Sequence, residues 1–316
     1  MKSFQVIRTH LSPYHGPDFE QNECQRLEKI AGVRVEKLNL ADLSKPSILI
    51  TNTHTDLKHL PQILLQNTKL ILHSNSGYDN FAQHQKILEN IPLVIGHEIR
   101  AQAVAEYCLS TLFQGLLELP QHLMWSKSRA WERPLIKDQA VWIYGYGHIG
   151  KIVADTLKSL GAKVTVIDPY LAEISPPKTD HSQAKIVIAC CGHNTSSHHM
   201  FNETFFNSAH PEIIFINGAR GKLVEEKCLR EFLLTHPKAQ AFLDVFENEP
   251  FDESWHHFPQ VWKTSHIAGV YSGLDEGIIQ FEEKTLNDFV SMDGFYFQKK
   301  YANELLQNKW LNGELI

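Results

Sequence analysis

Short apolar runs rich in β-branched residues alternate along this chain with segments whose apolar residues recur at helical spacing. In the first third, FQVIRT, SILITN and KLILHSN have the length and composition of buried strands. ECQRLEKIAG and LKHLPQILLQN have helical periodicity, and Gly32 is a C-terminal stop signal for the first of them. This alternation is typical of a parallel sheet that is covered by helices.

The longest predicted helix runs from Ala101 to Leu119 and is apolar on nearly every side, which predicts that most of its faces are buried. A second series of strands and helices follows a polar connection. Its predicted strands are AVWIYG, KVTVIDP, AKIVIACC, EIIFIN and AQAFLDVF.

These two series predict two domains. With 316 residues, the chain exceeds the size at which one core stops growing. We therefore predict an α/β protein of two Rossmann-like, doubly wound parallel-sheet domains. Boundaries near Gly96–His97 and near Gly269–Tyr271 make residues 97–270 an inserted domain. Residues 1–96 and 271–316 then form a discontinuous, flavodoxin-like domain.

Composition excludes several classes of function. The net charge of -6 provides no basic field for nucleic acid, and no apolar run approaches the roughly 20 residues of a membrane span. Five cysteines without framework spacing favour a reducing compartment and a cytoplasmic location. The 18 histidines are scattered and lack the Cys or carboxylate spacing of a metal site, so no metal is predicted.

The stretch GYGHIG places Gly145, Gly147 and Gly150 at G-x-G-x-x-G spacing, with His148 and Ile149 before the last glycine. It follows a predicted strand and opens a predicted helix. Glycine lets the backbone approach a pyrophosphate closely, and the helix N-terminus supplies unpaired N–H groups. The alternative is a tight turn without a ligand, in which His148 is a solvated residue at the start of the helix.

The next predicted strand, KVTVID, ends at Asp168. A carboxylate at this position can accept hydrogen bonds from an adenosine ribose and repels a 2′-phosphate. The motif therefore predicts NAD rather than NADP as the cofactor. The structural alternative is an Asp that caps the turn after its strand.

Three residues at later strand ends are candidates for catalysis: Arg220 in INGARG, Glu249 in LDVFENEP and His266 in SHIAG. Arginine offers a planar fork for a carboxylate, and histidine can exchange a proton with a hydroxyl oxygen. A carboxylate bonded to that histidine orients the ring. Beside a nicotinamide, this set suits hydride transfer at the carbon next to a carboxylate. Each of the three taken alone is more often a surface or structural residue.

These motifs, together with SGYDN from Ser76 and AVAE from Ala103, resemble those of the NAD-dependent D-isomer-specific 2-hydroxyacid dehydrogenases. The resemblance implies interconversion of a small 2-keto acid and its D-2-hydroxy acid. It also implies that residues 97–270 are the NAD-binding domain and that residues 1–96 and 271–316 are the substrate-binding domain. It implies that Arg220 binds the substrate carboxylate, that His266 is the acid/base, and that Glu249 pairs with His266.

The resemblance also implies further ligand contacts and a partner. The backbone at Ser76 and Gly77 would bind the substrate carboxylate, and the arm from Trp125 to Lys137 resembles a dimer-forming arm, which predicts a homodimer. Residues implied near the nicotinamide end of the cofactor are Asn217, Gly218, Ala219, Asp244 and His266.

The chain departs from the family pattern at two places. Asn75 stands where the family usually has glycine, and CCGHNTSSHHMF lacks the usual proline. We expect Cys190 and Cys191 to be packing residues rather than redox groups. The competing function is that of a dinucleotide-sensing binding protein, because the C-terminal-binding-protein co-repressors share this fold and these motifs. The complete catalytic set and the lack of long disordered tails favour the enzyme.

Overall fold

The computed structural model describes residues 3–121, 123–171, 173, 175, 180–311 and 314–316. The chain divides into two compact units: Met1–Arg100 with Val270–Ile316, and Ala101–Gly269. Each unit contains a parallel β-sheet with helices, which confirms the predicted fold class with one α/β domain inserted into another. The boundaries predicted from the sequence lie after residues 96 and 270.

The helices and strands alternate along the chain. The strands are β1 (Phe4–Arg8), β2 (Val33–Glu36), β3 (Ser47–Thr51), β4 (Thr68–His73), β5 (Leu93–Ile95), β6 (Ala140–Tyr144), β7 (Lys163–Ile167), β8 (Ile186–Ala189), β9 (Ile214–Asn217), β10 (Gln240–Leu243), β11 (Val261–Lys263), β12 (Trp310–Leu311) and β13 (Glu314–Leu315). The helices are α1 (Phe19–Leu27), α2 (Gln62–Asn67), α3 (Gln85–Leu88), α4 (His97–Leu117), α5 (His148–Ser159), α6 (Glu203–Ser208), α7 (Glu226–Thr235), α8 (Leu274–Ser291) and α9 (Gly294–Lys300).

The sheet of the discontinuous unit has the order β2-β1-β3-β4-β5, and all its neighbours pair in parallel. Its three central strands are the ones the sequence predicts. The two edge strands, β2 and β5, escape prediction because they are short and their apolar runs are brief. The predicted helix LKHLPQILLQN is interrupted at Pro61, which precedes α2, because proline cannot continue a helix.

The C-terminal tail packs into the core of the discontinuous unit. Phe297, Tyr301 and Leu305 are buried in the same cluster as β1 and β3. Gln307 Nε2 donates to the carbonyl of Leu88 at 3.0 Å, which fixes the tail beside α3. The sequence did not indicate where this tail packs.

The sheet of the inserted unit has the order β11-β10-β9-β8-β6-β7, again with parallel pairing. The chain runs from β6 to β7 on one side and then crosses to β8 on the other. The topological switch point therefore lies between β6 and β8, which is where open α/β sheets bind their ligands.

Helix α4 is less enclosed than the sequence predicts. Ala105, Cys108 and Leu112 are buried, whereas polar residues at four-residue spacing form one exposed stripe. These exposed residues are Gln102, Glu106, Ser110 and Gln114. Among the described helices, none is long and apolar enough to cross a membrane.

Candidate active site

The glycine loop follows β6 and begins α5, at the switch point of the inserted sheet. Gly145 has φ +93°, and a Cβ there would come within 2.7 Å of the Cα of Cys191. A Cβ at Gly150 would lie 2.0 Å from the carbonyl oxygen of Gly145. Both positions therefore require glycine. At Gly147, by contrast, a Cβ would meet nothing within 4 Å, so the outer side of the loop is open.

The first turn of α5 starts at His148, an exposed residue, and continues through Ile149. The first N–H groups of a helix have no intrahelical acceptor and carry a partial positive charge, so they suit a pyrophosphate. The tight loop, its open outer side and this helix start fit the diphosphate of a dinucleotide.

Asp168 follows β7 and lies beside the same loop. Its Oδ2 accepts a hydrogen bond from the N–H of Tyr146 at 2.9 Å, and its Oδ1 accepts from the N–H of Tyr170 at 3.0 Å. The carboxylate thus fixes the glycine loop relative to β7. Its partial exposure leaves it available to the hydroxyls of a ribose.

Two cysteines follow β8 at the other side of the switch point. Cys191 lies against Gly145, and burial raises the pKa of its thiol to about 12. Contact with Cys108, together with burial, raises the pKa of Cys190 well above its usual range. Thiols that stay protonated are poor nucleophiles, which supports their role as packing residues.

Asn217, the last residue of β9, organises the loop that carries Arg220. Its side chain is fully buried: Oδ1 accepts from the N–H of Ala219 at 3.1 Å, and Nδ2 donates to the carbonyl of Arg220 at 2.9 Å. Gly221 is required because a Cβ there would lie 1.8 Å from the carbonyl oxygen of Phe246. Arg220 Nη1 donates to the carbonyl of Ala219 at 2.7 Å.

Glu249 and His266 are brought together by the structure. The distance from His266 Nδ1 to Glu249 Oε2 is 3.0 Å, and Glu249 Oε1 accepts from the N–H of Phe246 at 3.2 Å. Burial opposes ionisation of Glu249. The hydrogen bond and charge of His266, together with the N–H of Phe246 and the charge of Arg220, outweigh it and lower the pKa of this carboxyl. Both side chains remain exposed, 55% for His266 and 41% for Glu249, so solutes can reach the pair.

The backbone at His266 has φ +55°, which is uncommon for a residue with a side chain. Asp244, a buried residue that is only 1% exposed, holds this backbone in place. Its carboxylate accepts from the N–H groups of Ile267 and Ala268, each at 2.8 Å, and from Thr264 Oγ1 at 2.6 Å. Its carbonyl accepts from the N–H of His266 at 2.8 Å. Asp244 therefore supports the His266 loop, a role that the sequence did not indicate.

The sheet order explains why these groups meet. Arg220 follows β9, Glu249 follows β10 and His266 follows β11, and these strands are neighbours in the sheet. The carboxyl ends of parallel neighbours lie at one edge, so consecutive strands deliver an arginine, a carboxylate and a histidine to that edge.

In the discontinuous unit, Ser76 and Gly77 lie in the loop after β4. His73 Nε2 bonds to the carbonyl oxygen of Gly77 at 2.8 Å, and Arg100 Nη1 donates to the carbonyl of Ser74 at 2.5 Å. Within the described residues, the N–H groups of Asn75, Ser76 and Gly77 donate to no acceptor. Successive N–H groups of this kind can bind an anion.

A buried cluster of ionisable side chains holds Ser74, at the start of this loop. Ser74 Oγ donates to Glu282 Oε1 at 2.6 Å, and Arg8 Nη2 donates to the same oxygen at 2.7 Å. Arg8 also pairs with Glu23. Complete burial of Glu282, together with the charge of Glu23 and against the opposing charge of Arg8, raises its pKa to about 8.

We expect Glu282→Gln to change the dependence of stability on pH. The pKa of Glu282 is raised on folding, so its contribution to stability is complete below its unfolded value and is lost as pH rises through about 8. Relative to the wild type, Glu282→Gln should therefore gain Tm as pH increases from about 5 to 9, by several degrees. Thermal unfolding across this range measures the difference, and parallel curves would contradict the assignment.

A parallel sheet with a glycine loop at its switch point and an acid at the next strand end defines a dinucleotide-binding Rossmann domain. A profile of the D-isomer specific 2-hydroxyacid dehydrogenase NAD binding domain matches residues 110–268. The chain belongs to the D-isomer-specific 2-hydroxyacid dehydrogenase family of oxidoreductases, and its inserted unit is the NAD-binding domain of that family.

Relatives by sequence are distant. The chain is 24% identical over 237 residues to the putative 2-hydroxyacid dehydrogenase YoaD of Bacillus subtilis, covering 69% of either chain. It is 25% identical over 235 residues to the glyoxylate reductase of Thermococcus gammatolerans, with coverage of 67% here and 70% there. It is 28% identical over 277 residues to the erythronate-4-phosphate dehydrogenase of Acinetobacter baumannii, with coverage of 81% and 73%.

Solved structures share the fold. A 2-hydroxyacid dehydrogenase from Ketogulonicigenium vulgare superposes with a TM-score of 0.72 at 18% identity, covering 92% of this chain and 96% of that one. The NAD⁺-bound 3-phosphoglycerate dehydrogenase of Entamoeba histolytica superposes with a TM-score of 0.70 at 15% identity and the same coverages.

Proposed function

We propose that this protein is an NAD-dependent dehydrogenase that interconverts a small 2-keto acid and its D-2-hydroxy acid. The observation that carries the proposal is the Glu249–His266 hydrogen bond beside the Arg220 loop, at neighbouring strand ends of an NAD-binding domain. Arg220 binds the substrate carboxylate, His266 is the acid/base, and Glu249 orients it.

Reduction of the keto acid needs a hydride at C2 and a proton at the carbonyl oxygen. Bound NADH supplies the hydride. Because Nδ1 of His266 bonds to Glu249, its Nε2 is the atom that gives the proton to the developing alkoxide. The charge of Glu249 favours the protonated imidazole before this step. In the reverse direction His266 takes the proton from the hydroxyl.

Further parts of the proposal concern ligand contacts. Ser76 and Gly77 bind the substrate carboxylate through their N–H groups. On the cofactor side, the residues proposed are Gly145, Gly147, His148, Ile149, Gly150, Asp168, Asn217, Gly218, Ala219, Asp244 and His266. The side chains of Asn217 and Asp244 are committed to loop backbone, so these two act mainly by positioning their loops.

The first experiment is a spectrophotometric assay of NADH oxidation by the purified protein with a panel of 2-keto acids. The panel contains glyoxylate, hydroxypyruvate, pyruvate, 2-ketoisocaproate, phenylpyruvate and phosphohydroxypyruvate. We expect turnover with at least one of them. NADH binding without turnover on any 2-keto acid would favour the dinucleotide-sensing alternative instead.

Asp168→Ala should relax the choice of cofactor. Loss of the carboxylate removes a ribose acceptor and the repulsion of a 2′-phosphate, so the ratio of kcat/KM for NADPH to that for NADH should rise by roughly 10-fold or more. Asp180→Ala, a change of an exposed Asp in the same unit, is the control. An unchanged ratio in Asp168→Ala would show that Asp168 does not contact the ribose.

We also propose a homodimer. Support comes from the apolar side chains that the segment around the arm exposes: Leu119, Leu123, Met124 and Trp125 are each at least 78% exposed. Exposed apolar patches of this kind mark interaction sites. Light scattering should give twice the chain mass of 36.2 kDa, and the monomer mass would contradict the proposal. The cytoplasmic location stays a prediction.

A further inference from the structure

Two exposed histidines lie at the edge of the discontinuous sheet that carries the Ser76 loop. His10 follows β1 and His54 follows β3, and their ring centroids are 5.3 Å apart. Strands β1, β3 and β4 are parallel neighbours, with Thr51 opposite His73. The loops with His10, His54 and Ser76 therefore leave adjacent strands at the same edge.

Asn52, a buried residue that is 3% exposed, holds the backbone of both histidines. Its Nδ2 donates to the carbonyl of His10 at 3.3 Å, and its Oδ1 accepts from the N–H of His54 at 3.0 Å. The two loops are further joined by a 2.8 Å hydrogen bond between the hydroxyls of Thr9 and Thr55. One buried amide side chain thus fixes the backbone of both histidine residues, so the pair is organised before any ligand binds.

The charged groups on these loops are engaged elsewhere. Asp56 pairs with His84 at 3.0 Å and with His59 at 3.7 Å, and its Oδ1 also accepts from the N–H of Lys58. His15 pairs with Asp275 at 2.6 Å. Within the described residues, neither His10 nor His54 has a carboxylate partner. Two neighbouring imidazoles without an acid make a site that favours a bound anion once they are protonated.

We propose that His10 and His54 form a subsite for a second anionic group of the substrate, and that this group is a terminal phosphate. The proposal rests on the proposed dehydrogenase function, in which the Ser76 loop binds the substrate carboxylate. The substrate is then a phosphorylated 2-keto or 2-hydroxy acid. No residue of this pair belongs to the motifs from which the family is identified.

The chemistry favours phosphate over a second carboxylate. A phosphate monoester carries nearly two charges at neutral pH and has three acceptor oxygens, so both imidazoles can donate charge-assisted hydrogen bonds to it. Neighbouring strands lie about 4.8 Å apart, and the strands before His54 and His10 are one and two positions away from β4 in the sheet. A spacer of a few atoms between carboxylate and phosphate covers this distance.

The kinetic test compares hydroxypyruvate with phosphohydroxypyruvate, which differ only in the phosphate. In the wild type, kcat/KM should favour the phosphorylated substrate by roughly 10-fold or more. In the variant His10→Gln/His54→Gln this preference should disappear through a higher KM for phosphohydroxypyruvate, while the constants for hydroxypyruvate stay unchanged. His59→Gln, another exposed histidine of the unit, is the control and should keep the preference.

A binding test separates this subsite from the dehydrogenase function. In an NMR titration with inorganic phosphate, the ring resonances of His10 and His54 should shift to saturation, and those of His59 should stay unchanged. If no keto acid is turned over but phosphate still shifts both histidines, phosphate binding at the histidine pair stands, and the dehydrogenase proposal fails together with the assignment of that phosphate to its substrate.

Two outcomes would overturn the subsite. One is turnover without phosphate preference and without a phosphate-induced shift. The other is a preference that survives the double substitution, because phosphate is then recognised elsewhere. If 2-ketoglutarate is preferred instead and the substitution abolishes that preference, the assignment to phosphate is wrong. Since both side chains are exposed, the variants should fold, and a shared Tm with the wild type confirms it.

Discussion

Replacing His266 with glutamine should lower kcat for 2-keto acid reduction by about 10²- to 10⁴-fold, the range that general acid catalysis contributes. Glutamine can still accept or donate a hydrogen bond near Glu249, but it cannot give a proton to the alkoxide. Most of the proposed cofactor contacts lie at the glycine loop rather than at His266, so NADH affinity should change little. Stopped-flow measurement of NADH oxidation, with fluorescence titration of NADH, determines both quantities.

The dependence of the reduction rate on pH tests directly whether His266 is the proton donor. In the wild type, the reduction rate should fall as pH rises and His266 loses its proton, and His266→Gln should abolish this fall. Because the pKa of Glu249 is lowered, its carboxylate is charged at neutral pH and favours protonated His266. Glu249→Gln removes that charge, so it should lower the rate of reduction at neutral pH.

His256→Gln is the matched control, since His256 is exposed and lies in the same unit. It should reproduce the wild-type profile. A fall in rate that persists at the same pH in His266→Gln would mean that another group supplies the proton, and the assignment of His266 would be wrong.

The architecture was predictable because a central parallel strand is buried on both faces and reads as a continuous apolar run. β3, β4, β6 and β9 have this signature, and it places the glycine loop and Asn217 at strand ends. The edge strands β2 and β5 lack this signature, because β2 is partly exposed and β5 has only three residues. Their existence depends on pairing with β1 and β4, which no local pattern shows.

The sequence was sufficient to predict the reactive side chains of the candidate site but not the residues that hold their loops in place. Arg220, Glu249 and His266 belong to motifs at strand ends. The support of the His266 loop, by contrast, depends on the burial of Asp244 and on the hydrogen bond of 2.8 Å between Tyr107 and Thr264, residues that are far apart in sequence. The support of the Ser74 carbonyl and hydroxyl by Arg100 and Glu282 likewise arises only from tertiary packing.

Arg220→Lys should lower kcat/KM for the keto acid by roughly 10²-fold, or about 2.7 kcal/mol of transition-state stabilisation. The guanidinium presents a rigid planar fork that matches a carboxylate, whereas the lysine ammonium is a point charge on a flexible stem. The loop itself should be preserved, because Asn217 binds the backbone of Ala219 and Arg220 rather than the arginine side chain. Steady-state kinetics with the best keto acid of the panel measure the effect.

The control is Arg34→Lys, the same chemical change at an exposed position of β2, which should leave kcat/KM unaltered. A second variant, Asn217→Ala, tests whether the position of the guanidinium matters as well as its shape. It keeps the Arg220 side chain but removes the hydrogen bonds that hold the backbone of its loop. It should lower kcat/KM without changing the charge of the site, and added salt should not restore it. Full activity in Arg220→Lys would show that charge alone suffices at this position, and the role of Arg220 as a bidentate substrate clamp would be wrong.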